Sequence, residues 1–167
     1  MKLCVHFNSS CIILCILVST VTFSKNVYSG QTEALLLSCM DFRLVDDTEK
    51  YMAERGLRDK YDHIILAGAS LGANTEKYPS WNQTFWDHLD VSIKLHAIKT
   101  VIILDHRDCG AYKTILLEDF HKNPEKEKAI HTTKQIALRE MIKKKYPTLK
   151  VELFLMDLSG KVEKISK

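Results

Sequence analysis

Residues 34–38 read A-L-L-L-S and residues 100–105 read T-V-I-I-L-D. Neither stretch alternates apolar with polar side chains. Short, continuously apolar runs are the pattern of strands buried on both faces of a parallel sheet. A third run, H-I-I-L-A at residues 63–67, ends in the glycine loop G-A-S-L-G, and a fourth covers residues 151–156. Helical stretches lie between them. Asp46 is placed to cap the first helix, with Glu49 as the return half of a capping box and Gly56 as its stop. The second helix is expected to begin at Ser80 with Gln83 as its capping partner. Phe85, Leu89, Ile93 and His96 recur about one turn apart, and Trp81, Val91, Leu95 and Ile98 occupy adjoining stripes, a surface for the core or for a dimer contact. Asn123 and Pro124 cap and open a long helix to about Tyr146, stopped by Pro147. Ser159-Gly160 turns the chain, and residues 162–165 return as an edge strand.

The expected fold is therefore α/β: a mostly parallel four-stranded sheet with helices on both faces and a C-terminal antiparallel edge strand. The chain of 167 residues suits one such domain. Its first part reads as a separate signal. Residues 1–10 carry one lysine and no acid, residues 11–23 are apolar or weakly polar, and the small-residue exit V-Y-S-G follows. That is the layout of a secretory signal peptide over residues 1–29, with cleavage before Gly30 and the folded domain over residues 30–167. A membrane anchor is the rival reading, but the apolar run is short of the roughly 20 residues a spanning helix needs. The expected location is periplasmic or secreted, with no stable membrane insertion after cleavage.

Removal of the leader takes away Lys2 and Lys25 and no acid, so the net charge falls from +3 to +1. Such a chain presents no basic surface for nucleic acid. The run Lys143–Lys144–Lys145 falls at a helix end, where cations complement the helix dipole. Three of the five cysteines, Cys4, Cys11 and Cys15, leave with the leader, so Cys39 and Cys109 are the pair that stays. Two cysteines in an exported chain first suggest a disulfide, which would make this a non-catalytic module.

Their neighbours point elsewhere. Cys39 sits in S-C-M-D-F-R-L at the end of the first strand, and Cys109 in L-D-H-R-D-C-G-A-Y at the end of the third. In an open α/β sheet, ligands gather at the carboxyl ends of strands where the winding reverses. If the two strands are neighbours there, Cys39, His106 and Cys109 converge as two thiolates and one imidazole. Soft sulfur with borderline nitrogen suits zinc, and three protein ligands leave the open fourth position of a catalytic site. His63, His88, His96, His121 and His131 read as surface or packing residues. Asp41 and Arg43, two apart, share a face in extended chain, so Arg43 can hold the Asp41 carboxylate ionised. Asp41 then has three readings: an acceptor that orients hydroxide on the metal, a fourth ligand that closes the site, or half of a structural salt bridge.

S-C-M-D-F-R and H-R-D-C-G resemble the two zinc-binding signatures of the β-class carbonic anhydrases, in particular the short clade with C-M-D-x-R and H-x-D-C-G. The resemblance runs from about Ala34 to Ile165 and includes the closing D-L-S-G-K-V-E. It implies one zinc per chain on Cys39, His106 and Cys109, with Asp41 and Arg43 as a catalytic dyad. It also implies a homodimer and the reversible hydration of CO2 to bicarbonate and a proton, the metal lowering the pKa of water toward 7. The chain departs from the family where R-N-A-G usually follows the second strand: Ile65 and Leu66 replace the Arg-Asn pair, while Ala67 and Gly68 persist. That departure motivates a second substrate class, the CO2-like carbonyl sulfide and carbon disulfide.

Overall fold

The five-residue run at Ala34–Ser38 forms β1, the centre from which the sheet is built, and all five residues are buried. In chain order there follow a 3-10 turn at Phe42–Leu44, α1 at Val45–Glu54, β2 at Tyr61–Ile65 and a second 3-10 turn at Gly72–Asn74. Next come α2 at Pro79–His96, β3 at Thr100–His106, α3 at Gly110–Leu116 and α4 at Pro124–Lys145. The chain ends with β4 at Lys150–Met156 and β5 at Val162–Lys164. This computed structural model describes residues 32–120 and 122–166. The expected signal peptide, residues 1–29, and His121 lie outside the described residues.

The sheet has five strands in the order β2-β1-β3-β4-β5. The first four are parallel and β5 runs antiparallel to β4, as the apolar runs predict. Successive side chains in a strand point to opposite faces, so each buried strand serves two cores. Leu35, Leu37, Val101 and Ile103 pack with Phe85 and Leu89 of α2 and Leu138 and Ile142 of α4. Leu36, Ile102 and Leu104 pack on the other face with Met52 of α1. Each such side chain fully buried contributes about 1.5–3 kcal/mol. After β1 the chain winds outward to β2, then returns past β1 to form β3 on its other side. The winding therefore reverses between β1 and β3, and the carboxyl ends of these two neighbours define the cleft.

Several boundaries differ from expectation, each for a local reason. Asp46 does not cap α1. The 3-10 turn leads into the helix at Val45, so the chain is already helical at Asp46, and Asp46 and Asp47 fill the first turn, where the dipole favours acids. The capping carboxylate is Asp41, which accepts from Arg43 N–H one turn earlier. α2 starts at Pro79 with no side-chain cap, because proline's fixed φ already suits the first helical position. β2 lies two residues earlier than its hydropathy suggests, since the chain leaves the sheet after Ile65 and turns tightly, with Ala69 N–H bonding to Leu66 O. On α2, Phe85 and Leu89 are buried while Val91 and Leu95 face outward. Asn123 caps α4 as read, its side chain accepting from Lys126 N–H.

Candidate metal centre

Cys39 directly follows β1, His106 closes β3, and Cys109 immediately precedes α3. Because β1 and β3 are adjacent and in register, with Ser38 opposite Leu104, their ends deliver these residues to one point. One ligand atom from each of Cys39, His106 and Cys109 lies within 4.8 Å of the others. The two sulfurs are 3.8 Å apart and both cysteines are free thiols, far from the roughly 2.05 Å of a disulfide. Two sulfurs each about 2.3 Å from a tetrahedral zinc ion would stand about 3.8 Å apart. His106 adds a second fit. Its Nδ1 is 2.8 Å from Arg107 O, so the ring donates there and turns the Nε2 lone pair inward. That Nε2 is buried and, among the described residues, makes no hydrogen bond. Fixing one imidazole nitrogen so that the other can ligate is the usual second-layer arrangement of metal histidines.

The electrostatics favour thiolate at this point. Hydrogen bonding with the Cys109 thiol pulls the Cys39 pKa down to about 4 against the opposing effect of burial, with His106 and the Gly68 N–H helping. The same contact, with burial, pushes Cys109 upward. Burial alone would lower His106, but the Cys39 sulfur beside the ring outweighs it and its pKa is raised. The Gly68 N–H lies 3.2 Å from Cys39 Sγ. Gly68 has φ +77°, a backbone angle that glycine adopts without strain.

Asp41 stands beside the trio, its Oδ2 3.7 Å from His106 Nε2. It is held on both oxygens by Arg43, Nε to Oδ1 at 2.9 Å and Nη2 to Oδ2 at 2.7 Å. This grip brings the Asp41 pKa down to about 2. A cavity of about 280 Å³ opens from Cys39, Asp41 and Cys109. Ala67, Ile115 and the stacked rings of Tyr78 and Trp81, 4.2 Å between centroids, form its apolar wall. Ile65 and Leu66 do not line it: Ile65 is exposed at the sheet edge and Leu66 packs against the core.

A buried network went unread in the sequence. Asp105, Ser70, Tyr112 and His131 are each no more than 1% exposed. Asp105 accepts from Ser70 N–H, Ser70 Oγ and Tyr112 OH at 3.0, 2.7 and 2.7 Å, and His131 Nδ1 is 2.9 Å from it. Asp105 precedes His106, Ser70 lies two residues after Gly68, and Tyr112 lies three after Cys109, so one carboxylate ties the end of β3 to α3 and to the loop whose Gly68 N–H donates to Cys39. The signal available was an acid ending an otherwise apolar strand. The other described histidines stay out of the site: His63 pairs with Ser38, His88 with Thr84 O and His96 with Asp62.

Gly72 packs under the same loop. A Cβ there would lie 2.4 Å from Ala67 O, a backbone atom that cannot yield without moving residues 66–72. Gly72→Ala is expected to cost about 1–3 kcal/mol by overpacking and to disturb the candidate metal centre through displacement of Gly68. Denaturant unfolding and chelator competition on the same preparation check both effects.

Comparison with known proteins fits this arrangement. The profile of a family described as "Putative carbonic anhydrase" matches residues 29–166. The chain belongs to the carbonic anhydrase family. Two relatives are uncharacterized proteins of Rickettsia. That of R. bellii is 46% identical over 136 residues, covering 81% of this chain and 83% of the relative. That of R. conorii is 44% identical over 136 residues, covering 81% and 73%. Among solved structures, β-carbonic anhydrase isoform I of Trichomonas vaginalis superposes with a TM-score of 0.55 at 18% identity, covering 83% of this chain and 84% of that one. The β-carbonic anhydrase CafA of Aspergillus fumigatus gives 0.51 at 13% identity, covering 82% and 77%. The fold is thus that of the β-class carbonic anhydrases.

Proposed function

We propose that this carbonic anhydrase binds one zinc ion through Cys39, His106 and Cys109 and hydrates CO2 reversibly to bicarbonate and a proton, with Asp41 and Arg43 as its catalytic dyad. The observation that carries this reading is the convergence of two thiols on a buried imidazole nitrogen that, among the described residues, makes no hydrogen bond. A zinc ion held by Cys39, His106 and Cys109 would supply Lewis acidity, which makes water a competent nucleophile near neutral pH. The chain's own residues do the rest. Asp41, ionised by its bond to Arg43, accepts a hydrogen bond from the nucleophile and orients it. Arg43 keeps that carboxylate charged and aimed. The Gly68 N–H steadies the Cys39 thiolate, and the apolar wall of Ala67, Tyr78, Trp81 and Ile115 admits an uncharged linear substrate. Ile65 and Leu66 lie off this wall, so their replacement of the family's Arg-Asn pair gives carbonyl sulfide and carbon disulfide no support as the preferred substrates.

With residues 1–29 as a cleaved signal, the enzyme works in the periplasm or outside the cell, where it interconverts permeant CO2 and impermeant bicarbonate. On family resemblance it does so as a homodimer. Among the described residues no helix is long and apolar enough to cross a membrane. Stopped-flow CO2 hydration at mildly alkaline pH tests the reaction, on protein starting at Gly30. Fast hydration is expected at one zinc per chain, abolished by a chelator and restored by zinc. A fully zinc-loaded protein that leaves CO2 untouched in this assay would overturn the reading, and parallel assays on carbonyl sulfide and carbon disulfide would then name the substrate.

A further inference from the structure

Two residues, Arg107 and Asp108, separate His106 from Cys109, and their polar groups are tied down in unusual detail. Arg107 N–H donates to Met156 O at 2.8 Å. The Arg107 guanidinium reaches Pro124 O, Glu127 and Glu163 at 3.1, 3.4 and 3.0 Å. Asp108 N–H donates to Glu127 Oε1 at 2.6 Å, and Glu127, on α4, is only 7% exposed. Asp108 itself has φ +55°, the left-handed conformation that aspartate tolerates better than most side chains but that still costs energy. In that conformation both its carboxylate and its carbonyl turn to one partner: Arg43 Nη1 donates to Asp108 Oδ2 at 2.9 Å and Arg43 Nη2 to Asp108 O at 3.0 Å. Arg43 is the residue that grips Asp41 with Nε and Nη2.

The guanidinium is thus held from two sides, by Asp41 in front and Asp108 behind. Asp108 is neither one of the converging donor residues nor part of the cavity wall. Its ion pair is about half exposed, and pairs of that kind add little to stability. The strained backbone of Asp108, held through its N–H by the buried Glu127 carboxylate, therefore serves orientation rather than stability. We propose that Asp108 is a positioning residue: it fixes the Arg43 guanidinium so that Asp41 keeps its place beside the metal centre, and Glu127 fixes Asp108 by accepting its backbone N–H.

The activity arm of the test rests on the CO2 reading; a second arm does not. Asp108→Gly suits the left-handed backbone and keeps the carbonyl that Arg43 Nη2 reaches, but it loses the carboxylate that holds Nη1; Asp108→Asn keeps a side-chain oxygen there. Relative to the native chain, Asp108→Gly is expected to bind zinc one to one with an unchanged unfolding midpoint. Its kcat should fall roughly 10- to 100-fold, the usual scale for losing an outer support of a metal site, with KM steady and Asp108→Asn recovering most of the loss. In 15N NMR, with Arg43→Lys to assign the signal, the Arg43 Nε–H should exchange with solvent faster in Asp108→Gly. Native kcat together with unchanged Nε–H exchange in Asp108→Gly would overturn the proposal. So would a fall in kcat that tracks lost zinc while that exchange stays as in the native chain. If the native chain fails to hydrate CO2, the functional reading falls and the NMR arm alone decides the role of Asp108.

Discussion

Asp41→Asn is expected to lower kcat for CO2 hydration by roughly 100-fold or more while zinc content stays at one per chain. Asparagine has the shape of aspartate but carries no charge, and one of its two terminal atoms donates rather than accepts. It therefore cannot satisfy both Arg43 contacts, Nε to Oδ1 and Nη2 to Oδ2, and still accept a hydrogen bond from the nucleophile. The pH dependence makes the prediction sharper. The Asp41 pKa is lowered from 3.8 to about 2, so the residue is ionised across the whole neutral range. The ratio of native to variant rate should therefore stay flat there. The stabilisation that comes with the lowered pKa is fully present above 3.8 and disappears as pH falls through about 2. Stopped flow at saturating buffer, with metal analysis of each sample, checks this. Unchanged turnover would remove Asp41 from the mechanism and leave its bond to Arg43 as a salt bridge.

The second large effect concerns stability. Asp105→Ala removes the acceptor shared by Ser70 N–H, Ser70 Oγ, Tyr112 OH and His131 Nδ1. No water can replace it cheaply, since all four residues are no more than 1% exposed. A buried polar group left unsatisfied costs about 1–3 kcal/mol, and breaking a buried network by deleting one member costs about 3–5 kcal/mol. A loss of about 3–5 kcal/mol is therefore expected by urea or guanidinium unfolding, with zinc affinity falling as well because the end of β3, α3 and the Gly68 loop lose their common tie. In the native chain burial, with the Asp105 charge behind it, holds the Tyr112 pKa well above 10, and the burial remains in the variant. A variant within 1 kcal/mol of the native chain would show that the network is incidental to the fold.

The parts of this molecule that were legible in the sequence are those set by local pattern. The run A-L-L-L-S matched β1 residue for residue, and the His-x-x-Cys and Cys-x-Asp-x-Arg spacings placed His106 near Cys109 and Asp41 near Cys39, because strand ends and short loops fix side-chain placement over a few residues; the two pairs meet through the β1–β3 pairing. Helix starts were less legible. Asp46 and Ser80 are good caps in isolation, but tertiary context began α1 at Val45 and α2 at Pro79. The Asp105 network was invisible for a different reason. Ser70, Asp105, Tyr112 and His131 come from four separate segments, and no spacing rule links them. His131 shows the difficulty: in sequence it is one more helical histidine, and only the packing of α4 over the sheet reveals that it is buried against Asp105.

Cys39 and Cys109 are 70 residues apart in the chain, and no local segment contains the full ligand set. An unfolded chain offers a metal ion only the His-x-x-Cys pair. The complete trio exists once β1 has paired with β3, with Ser38 facing Leu104, a non-local step of the kind that slows folding. A slip of one residue would turn Leu35 and Leu37 toward α1 and pull Cys39 from His106. Any ion that binds the native arrangement and ignores the unfolded one stabilises by mass action, about 2.7 kcal/mol at a hundredfold excess over Kd. Metal capture would then act late in folding, as a pin through two central strands, and what it would resist most is the sliding of one strand along the other.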